Sequence, residues 1–261
     1  MDIENINKNI SIIDYNTTLN LLLYSIIIYK LNNDEINIYN KNILKNHFIN
    51  LQYKSIYTKN DELLKIFYCE ITNILCMIIR NNKEKIIKII FRGTKNTKNL
   101  YYNLNIQLKP INFLDNINIK IHEGFYNHFF ENNFYNKIKI FLKKIDCKNY
   151  LFQLSGHSLG ANLSILCGYF LSYIFYQNKI LIVSFGSSKI GNEHFKQSFD
   201  NKDNILCYRF INQSDYINNL PPIHYYHIGI PIKLKSTKNN LNLIECHSYN
   251  HYLNNLLNSK W

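Results

Sequence analysis

One serine in this chain has the surroundings that nucleophilic chemistry requires. Ser158 is the central residue of the run G-H-S-L-G at residues 156–160, which follows a short apolar stretch and precedes a segment typical of a helix. A serine hydroxyl is a weak nucleophile until a sharp strand-to-helix turn exposes its oxygen and a base lies within reach. Such a turn crowds the backbone two residues on either side, where glycine fits best. The run predicts a nucleophilic Ser158. The competing interpretation is an ordinary glycine-flanked turn.

A nucleophilic serine also needs a carboxylate that orients its base. In folds built around this turn, the acid and then the histidine follow the serine along the chain, each after a strand. Asp215 lies just beyond the predicted strand at residues 205–211, which is where the acid belongs. Asp200 and Asp203 precede that strand and would lie at its opposite end. Asp215 is therefore the predicted acid, although an aspartate shortly before two prolines is also common in turns.

Two histidines compete for the role of the base. His247 and His251 both lie in the segment that enters the last predicted helix. His227 lies between two predicted strands, where a packed and hydrogen-bonded histidine is more common. The sequence favours His247 and leaves His251 open.

The elements that must position these residues alternate between strands and helices. We predict helices over 17–31, 127–146 and the nucleophile segment, short helices over 41–48 and up to Phe199, and a final helix from about Ser248. We predict strands within 66–79, 85–91, 117–121, 151–154, 180–185 and 205–211, and a strand pair within 225–235. This alternation predicts an α/β fold with a mostly parallel central sheet flanked by helices. Neither a repeat nor a linker divides the chain, so we expect one domain over residues 1–261.

Composition narrows the classes of function. Hydrophobic residues make up 46% of the chain and charged residues 18%, which is enough to form a core. The net charge is +12, but the excess is mostly lysine in a chain rich in Asn, Ile and Tyr, a bias that resembles the product of an AT-rich genome. There is no basic cluster with interleaved aromatic residues, so we expect no nucleic-acid partner. The charge still favours anionic membrane surfaces. No zinc-ligand spacing is present, and the proposed chemistry requires no metal or cofactor.

The cysteines and the amino-terminal residues bear on the environment of the protein. Six cysteines show no paired framework, and several lie in apolar runs, so we expect buried free thiols. The amino terminus carries Asp2 and Glu4 instead of a basic segment, so we expect no signal peptide. The apolar run at residues 21–29 is too short to span a bilayer. We expect a cytoplasmic protein, with peripheral membrane association as an alternative.

Five motifs in a fixed order resemble the class 3 lipases, the family of the filamentous-fungal triacylglycerol lipases. They are F-R-G-T at 91–94, H-E-G-F at 122–125, G-H-S-L-G at 156–160, F-G-S with G-N at 185–192, and the segment from Asn212 through Asp215 to Pro222. Two weaker ones follow, Y-H-I-G at 226–229 and His247-Ser248 with Tyr252. The resemblance covers roughly residues 85–255.

The resemblance implies an α/β-hydrolase-type fold with a nucleophile elbow, and a role for several residues. Ser158 would be the nucleophile, Asp215 the acid and His247 the base, and Thr94 and Leu159 would form the oxyanion hole. His247 is favoured because many members have a serine directly after the histidine and a tyrosine five places on. Other members have that tyrosine three places on, a spacing that neither histidine shows, so His251 stays open.

The resemblance also implies a lid helix over the acyl pocket, here at residues 97–104. Leu100 stands where many members have tryptophan and Asn103 where they have aspartate. The segment is modestly amphipathic, and the alternative is a solvated loop. If it is a lid, we expect it to open on a lipid surface. Tyr101, Tyr102 and Phe125 are predicted to line the pocket.

The implied function is hydrolysis of lipid esters through an acyl-enzyme, with triacylglycerol as the first candidate substrate. A phospholipase A1 or a lysophospholipase would use the same residues. A lipase-like binding or signalling module without turnover is the candidate from a different class.

Overall fold

A mostly parallel seven-stranded sheet forms the centre of the protein. The computed structural model describes residues 13–31, 43–53, 60–94, 107–111, 116–236 and 241–259. The strands of this part of the chain are β1 Asp61–Cys69, β2 Ile74–Asn81, β3 Ile86–Phe91, β4 Leu108–Pro110, β5 Lys120–His122, β6 Leu151–His157, β7 Ile180–Phe185, β8 Ile205–Asn212 and β9 Ile230–Leu234. The main sheet has the order β1-β2-β3-β6-β7-β8-β9, and β4 and β5 form a separate pair. Pairing is antiparallel from β1 to β3 and parallel from β3 to β9.

Helices cover both faces of this sheet. They are α1 Tyr15–Lys30, α2 Ile43–Asn50, α3 Glu123–Phe130, α4 Phe134–Lys144, α5 Leu159–Ile174, α6 Glu193–Asp200, α7 Leu243–His247 and α8 Tyr249–Asn258. One buried cluster lies under α3, α4, α5 and α6, and a second lies under α1, α2 and α8. Because both faces are covered, the central strands are apolar almost throughout, as is typical of parallel sheets. The predicted α/β architecture is confirmed.

Two predicted strand segments differ from the structure. Residues 66–79 form parts of β1 and β2, joined by a tight turn in which Asn73 has a φ of 53°. The turn contains neither glycine nor proline, so its only sequence signal is an asparagine, which tolerates the left-handed region better than most residues. Residues 225–235 contain only β9, and Tyr226 instead forms an isolated bridge with Gly191.

The predicted helix over 127–146 is also divided. It begins earlier, at Glu123, where the His122 side chain accepts a hydrogen bond from the Gly124 N–H. A short 3₁₀ segment, Glu131–Asn133, separates α3 from α4. Asn133 lies in the left-handed region, with a φ of 55°. Two shorter helices therefore replace one long one.

Helix α1 is buried along most of its length and turns polar side chains as well as apolar ones toward the sheet. Asn20, Tyr24 and Ser25 are all buried. The Ser25 hydroxyl lies 3.0 Å from that of Ser155 on β6. No helix in the described ranges is long and apolar enough to cross a membrane.

A buried ion pair joins α1 to the first three strands. Asp61 Oδ2 accepts hydrogen bonds from Lys88 Nζ at 2.5 Å and from the Tyr24 hydroxyl at 2.5 Å, and Asp61 Oδ1 accepts one from Asn81 Nδ2 at 2.7 Å. Lys88 also donates to Asn20 Oδ1 at 2.9 Å. The lysine and aspartate side chains are 4% and 0% exposed, so the structure satisfies a carboxylate and an ammonium group with almost no water contact.

All six cysteines are free and buried, as the sequence predicts. Burial raises the pKa of the Cys147 thiol to about 11 and that of Cys207 to about 12. These two thiols therefore remain protonated in the folded protein at neutral pH.

Candidate active site

The site is built around a sharp turn between β6 and α5. Strand β6 ends at His157, helix α5 begins at Leu159, and Ser158 lies between them with a φ of 60° and a ψ of −128°. A positive φ is uncommon for a residue with a Cβ and indicates a backbone held by its surroundings. The Ser158 N–H donates to the Phe185 carbonyl on the neighbouring strand β7 at 3.0 Å. This is the nucleophile-elbow conformation that the sequence predicts.

The two glycines of the motif allow the turn to be this tight. A Cβ on Gly156 would lie 2.4 Å from the backbone of Gly160, and a Cβ on Gly160 would lie 2.4 Å from the carbonyl oxygen of Phe91. Both distances are far below van der Waals contact with backbone atoms that cannot swing away. Glycine is therefore required at these positions by close packing of the chain against itself.

In the structure, Ser158, His247 and Asp215 are joined by one chain of hydrogen bonds. His247 Nε2 lies 2.8 Å from Ser158 Oγ, and His247 Nδ1 lies 2.8 Å from Asp215 Oδ2. All three side chains are buried. A carboxylate only accepts hydrogen bonds, so Nδ1 carries the ring proton and Nε2 is left to accept the proton of the serine hydroxyl.

Asp215 is held by two donors besides His247. Its Oδ1 accepts from the Ile217 N–H at 3.0 Å, at the start of the 3₁₀ turn Tyr216–Asn219. Its Oδ2 also accepts from the Tyr252 hydroxyl at 2.6 Å. That hydroxyl accepts in turn from the Asn212 N–H at 3.2 Å. Burial, together with the nearby carboxylate, raises the pKa of Tyr252 well above its usual value, so Tyr252 remains a donor.

The competing residues lie elsewhere. His251 Nε2 is 3.1 Å from Asn255 Nδ2 and 3.5 Å from the hydroxyls of Ser214 and Ser236. Ser248 separates the two histidines, since it ends α7 and caps α8. The Asp200 carboxylate pairs with Lys196 on α6, and Asp203 is exposed before β8. His227 is partly buried, and burial lowers its pKa to about 3.

The other predicted site residues are placed as follows. Leu159 is the first residue of α5, so its N–H has no acceptor within the helix. Thr94 follows Gly93 directly after β3 and is half-buried. Phe125 is buried in the core, and its ring stacks on that of His122 at 4.4 Å between centroids. Tyr101, Tyr102 and the predicted lid at residues 97–104 lie outside the described residues.

Three residues close to these hydrogen bonds were not singled out from the sequence as site residues: Tyr29, His157 and Tyr252. Tyr252 carried a signal, because a tyrosine follows the histidine in the family's last motif. His157 is the second residue of the nucleophile motif. Tyr29 is one of many tyrosines in the chain, and its spacing from the motifs carries no information. Among the described residues, no group of three His, Cys, Asp or Glu side chains could hold a metal ion.

The mostly parallel sheet, the strained serine directly after β6, and the chain of hydrogen bonds that joins Ser158, His247 and Asp215 define an α/β-hydrolase-type protein. The model of the class 3 lipase family matches residues 88–225. The chain belongs to this family, and the resemblance seen in the sequence is confirmed. The matched residues include Ser158 and Asp215 and end before His247.

Known proteins agree with this assignment. The lipase of Rhizomucor miehei is 24% identical over 172 residues, which are 63% of this chain and 46% of that protein, so the chain spans about half the length of this curated relative. The structure of lipase II from Rhizopus niveus superposes with a TM-score of 0.68 at 16% identity, over 84% of this chain and 80% of that one. A triacylglycerol lipase from Penicillium expansum gives 0.59 at 19% identity, over 68% and 71%. At these identities the structural likeness shows the fold.

Proposed function

We propose that the protein is a serine-dependent carboxylic ester hydrolase that acts on lipid esters, with triacylglycerol as the first candidate substrate. The observation that carries the proposal is the pair of 2.8 Å contacts that link Ser158, His247 and Asp215 at a nucleophile elbow. Membership of the class 3 lipase family supports the substrate class. The Penicillium expansum neighbour is itself a triacylglycerol lipase.

In the proposed reaction, Ser158 Oγ attacks the acyl carbonyl and its proton passes to His247 Nε2. The C–O bond to the leaving alcohol then breaks, and the same proton passes to the alkoxide. Water attacks the acyl-serine in a second round that uses His247 again as base and then as acid. Asp215 stabilises the imidazolium that forms in each round, and its two other donors hold it in place.

The negative charge that develops on the carbonyl oxygen needs fixed donors. We propose the Leu159 N–H, at the positive end of helix α5, and the amide and hydroxyl of Thr94. Removal of one such donor typically costs about 3 kcal/mol of transition-state stabilisation. The segment at residues 97–104 is proposed as the lid over the acyl pocket, which Tyr101, Tyr102 and Phe125 would line.

A phospholipase A1 or a lysophospholipase is the second candidate. The net charge of +12 favours it, because a basic protein is attracted to anionic lipid surfaces. We propose that either enzyme meets its substrate at a membrane or droplet surface, as a cytoplasmic protein that associates peripherally. A rate that stays unchanged when the substrate passes from monomers to an emulsion would count against a lid that opens at the surface.

A fluorophosphonate probe tests the proposed nucleophile. The wild type should be labelled, and Ser158→Ala should abolish both labelling and ester hydrolysis, with a loss of at least roughly 10⁴-fold in kcat. Ser164→Ala is the matched control, because Ser164 lies on α5 and its hydroxyl donates to the Ala161 carbonyl of its own helix. That variant should be labelled like the wild type.

The same probe distinguishes the two histidines and the two kinds of protein. His247→Ala should prevent labelling, whereas His251→Ala should leave it largely intact. Absence of labelling in the folded wild type would favour a binding or signalling module. A panel of emulsified triacylglycerol, phospholipid vesicles and a short p-nitrophenyl ester then ranks the substrate classes.

A further inference from the structure

The hydroxyl of Tyr29, near the end of α1, lies where three segments of the site converge. It is 3.2 Å from His157 Nδ1 and 3.3 Å from the His157 carbonyl oxygen. It also contacts Gly93, the residue before Thr94. The Gly93 N–H donates a hydrogen bond to this hydroxyl, and a Cβ on Gly93 would lie 2.2 Å from its oxygen. The same Cβ would lie 3.3 Å from Ser158 Cβ. One phenol therefore joins the loop after β3 to the nucleophile elbow.

His157 extends this contact to the residue that carries the base. Its Nε2 lies 2.7 Å from the backbone carbonyl oxygen of His247. A carbonyl only accepts, so Nε2 donates, and Nδ1 of the neutral ring is an acceptor. The Tyr29 hydroxyl shares its one proton between Nδ1 and the His157 carbonyl oxygen. Burial, with the neighbouring His247 ring, keeps the pKa of His157 well below its usual value, so the ring stays neutral. The direction of each hydrogen bond is thereby fixed.

The His247 carbonyl needs such a donor. His247 is the last residue of the five-residue helix α7, and the last four carbonyls of a helix have no partner within it. The backbone of His247 is therefore held from outside the helix, by a side chain that belongs to the nucleophile motif itself. The centroids of the His157 and His247 rings are 4.9 Å apart, so the two rings also pack against each other.

We infer that Tyr29 and His157 are positioning residues for the proposed ester hydrolysis, and that α1 contributes to the active site through the Tyr29 hydroxyl. The path runs from Gly93 through Tyr29 and His157 to the His247 backbone, and it connects the oxyanion loop, the nucleophile and the base. The hydrogen bonds of this path involve neither Ser158 Oγ nor the ring nitrogens of His247. Tyr29 lies outside residues 88–225, so the portion of the chain that matches the family does not contain the whole site.

The inference rests on the proposed function, and conservative variants test it. Tyr29→Phe removes only the hydroxyl and should lower kcat about 10-fold with little change in KM, because substrate binding is kept and the alignment of base and nucleophile is lost. His157→Leu should lower kcat about 100-fold. The kcat of His157→Gln should be at least about tenfold higher than that of His157→Leu, because the glutamine amide can donate to the His247 carbonyl and accept from Tyr29.

Tyr24→Phe is the matched control. Tyr24 lies on the same helix and its buried hydroxyl also makes a strong hydrogen bond, but to Asp61 in the remote ion pair. It should lower the melting temperature and leave kcat per folded molecule unchanged. Circular dichroism at the assay temperature, together with the amount of folded protein recovered, normalises all four variants.

Three results distinguish a wrong positioning role from a wrong proposed function. If Tyr29→Phe keeps kcat within twofold of the wild type, or if His157→Gln is no better than His157→Leu, the positioning role is wrong. If the wild type hydrolyses esters and Ser158→Ala does not, either of those results overturns this inference alone. If the folded wild type hydrolyses none of the esters in the panel, the proposed function fails and this inference fails with it.

Discussion

Two buried carboxylates in this protein have nearly the same surroundings and different consequences. Asp61 accepts hydrogen bonds from a tyrosine hydroxyl, an amide and Lys88. Asp215 accepts them from a tyrosine hydroxyl, a backbone amide and His247. The two sites differ in the third donor. Lys88 donates its other hydrogen bond to Asn20, whereas His247 has a second ring nitrogen that lies 2.8 Å from Ser158 Oγ.

The difference separates a stabilising network from a reactive one. An ammonium group beside a buried carboxylate satisfies charge and leaves nothing to transfer at neutral pH. An imidazole beside a buried carboxylate can take a proton on its far side and return it, because the ring nitrogen that faces away from the carboxylate carries a free lone pair. Burial, a carboxylate and a tyrosine are thus common to both sites, and the identity of the basic group decides whether chemistry is possible.

The largest expected effect comes from removing one charge at each site. Asp215→Asn should lower kcat by roughly 10³–10⁴-fold, since the amide no longer imposes the tautomer that leaves Nε2 free to accept a proton. The melting temperature should change little. Asp61→Asn should instead destabilise the fold by about 3–5 kcal/mol, because Lys88 is left buried without a counter-charge. Urea unfolding and kcat per folded molecule, measured on both variants, give the two readouts.

A double variant checks this interpretation of Asp61. Asp61→Asn combined with Lys88→Met removes both charges and should recover much of the lost stability, because an uncharged pair of similar volume leaves no ion unpaired. If Asp61→Asn impaired catalysis as strongly as Asp215→Asn, the distinction between the two sites would fail.

A smaller effect is expected from the two tyrosine hydroxyls. Tyr252→Phe removes a donor from Asp215 and should lower kcat about 10- to 100-fold, on the order of 1.5–3 kcal/mol for a hydrogen bond to a charged group. Tyr24→Phe removes the corresponding donor from Asp61 and should cost a similar free energy, but in unfolding. Steady-state kinetics and urea titration of both variants measure whether each hydroxyl contributes to kcat or to the free energy of unfolding. Equal changes in kcat for both would contradict the comparison.

The smallest effect concerns pH and a group outside both networks. Burial lowers the pKa of His122 to about 4, whereas the unfolded residue titrates near 6.5. Between these values the unfolded chain binds more protons, so stability falls as the pH falls from about 6.5 toward 4. His122→Asn keeps a side-chain acceptor for the Gly124 N–H and removes the titration. Its stability should fall less steeply, by at most about 1.4 kcal/mol per pH unit.

Urea midpoints at pH 7 and pH 5 for the wild type and His122→Asn measure this difference. Parallel loss of stability in the two proteins would mean that His122 gains no proton on unfolding. In that case the acid sensitivity would have to come from other groups, among which buried His157 and partly buried His227 also have lowered pKa values.

The sequence predicted the residues whose chemistry depends on local geometry. Gly156 and Gly160 flank the serine because the turn admits no side chain, and Asp215 follows a strand whose end lies at the same sheet edge. These constraints act over a few residues and leave a readable pattern. The parallel centre of the sheet was predictable for the same reason, since β6 and β7 are largely apolar and each is followed by a helix.

The choice between His247 and His251 depended on structure that the sequence does not display. Four residues apart, they would share one face of a continuous helix. The chain instead ends α7 at His247 and starts α8 at Tyr249, which directs the two rings to different partners. The contact of Tyr29 with His157 spans 128 positions, and no local pattern encodes what a buried hydroxyl will meet across such a separation.

The six buried thiols give this molecule an internal reporter of its own opening. An uncharged alkylating reagent must reach the sulfur atom, and in the closed fold all six cysteines are buried. Incorporation of the reagent over time would therefore count the fraction of molecules that have opened. Because Cys76 and Cys207 lie on different strands of the sheet, peptide mapping of the modified sites would reveal which part of the fold opens first.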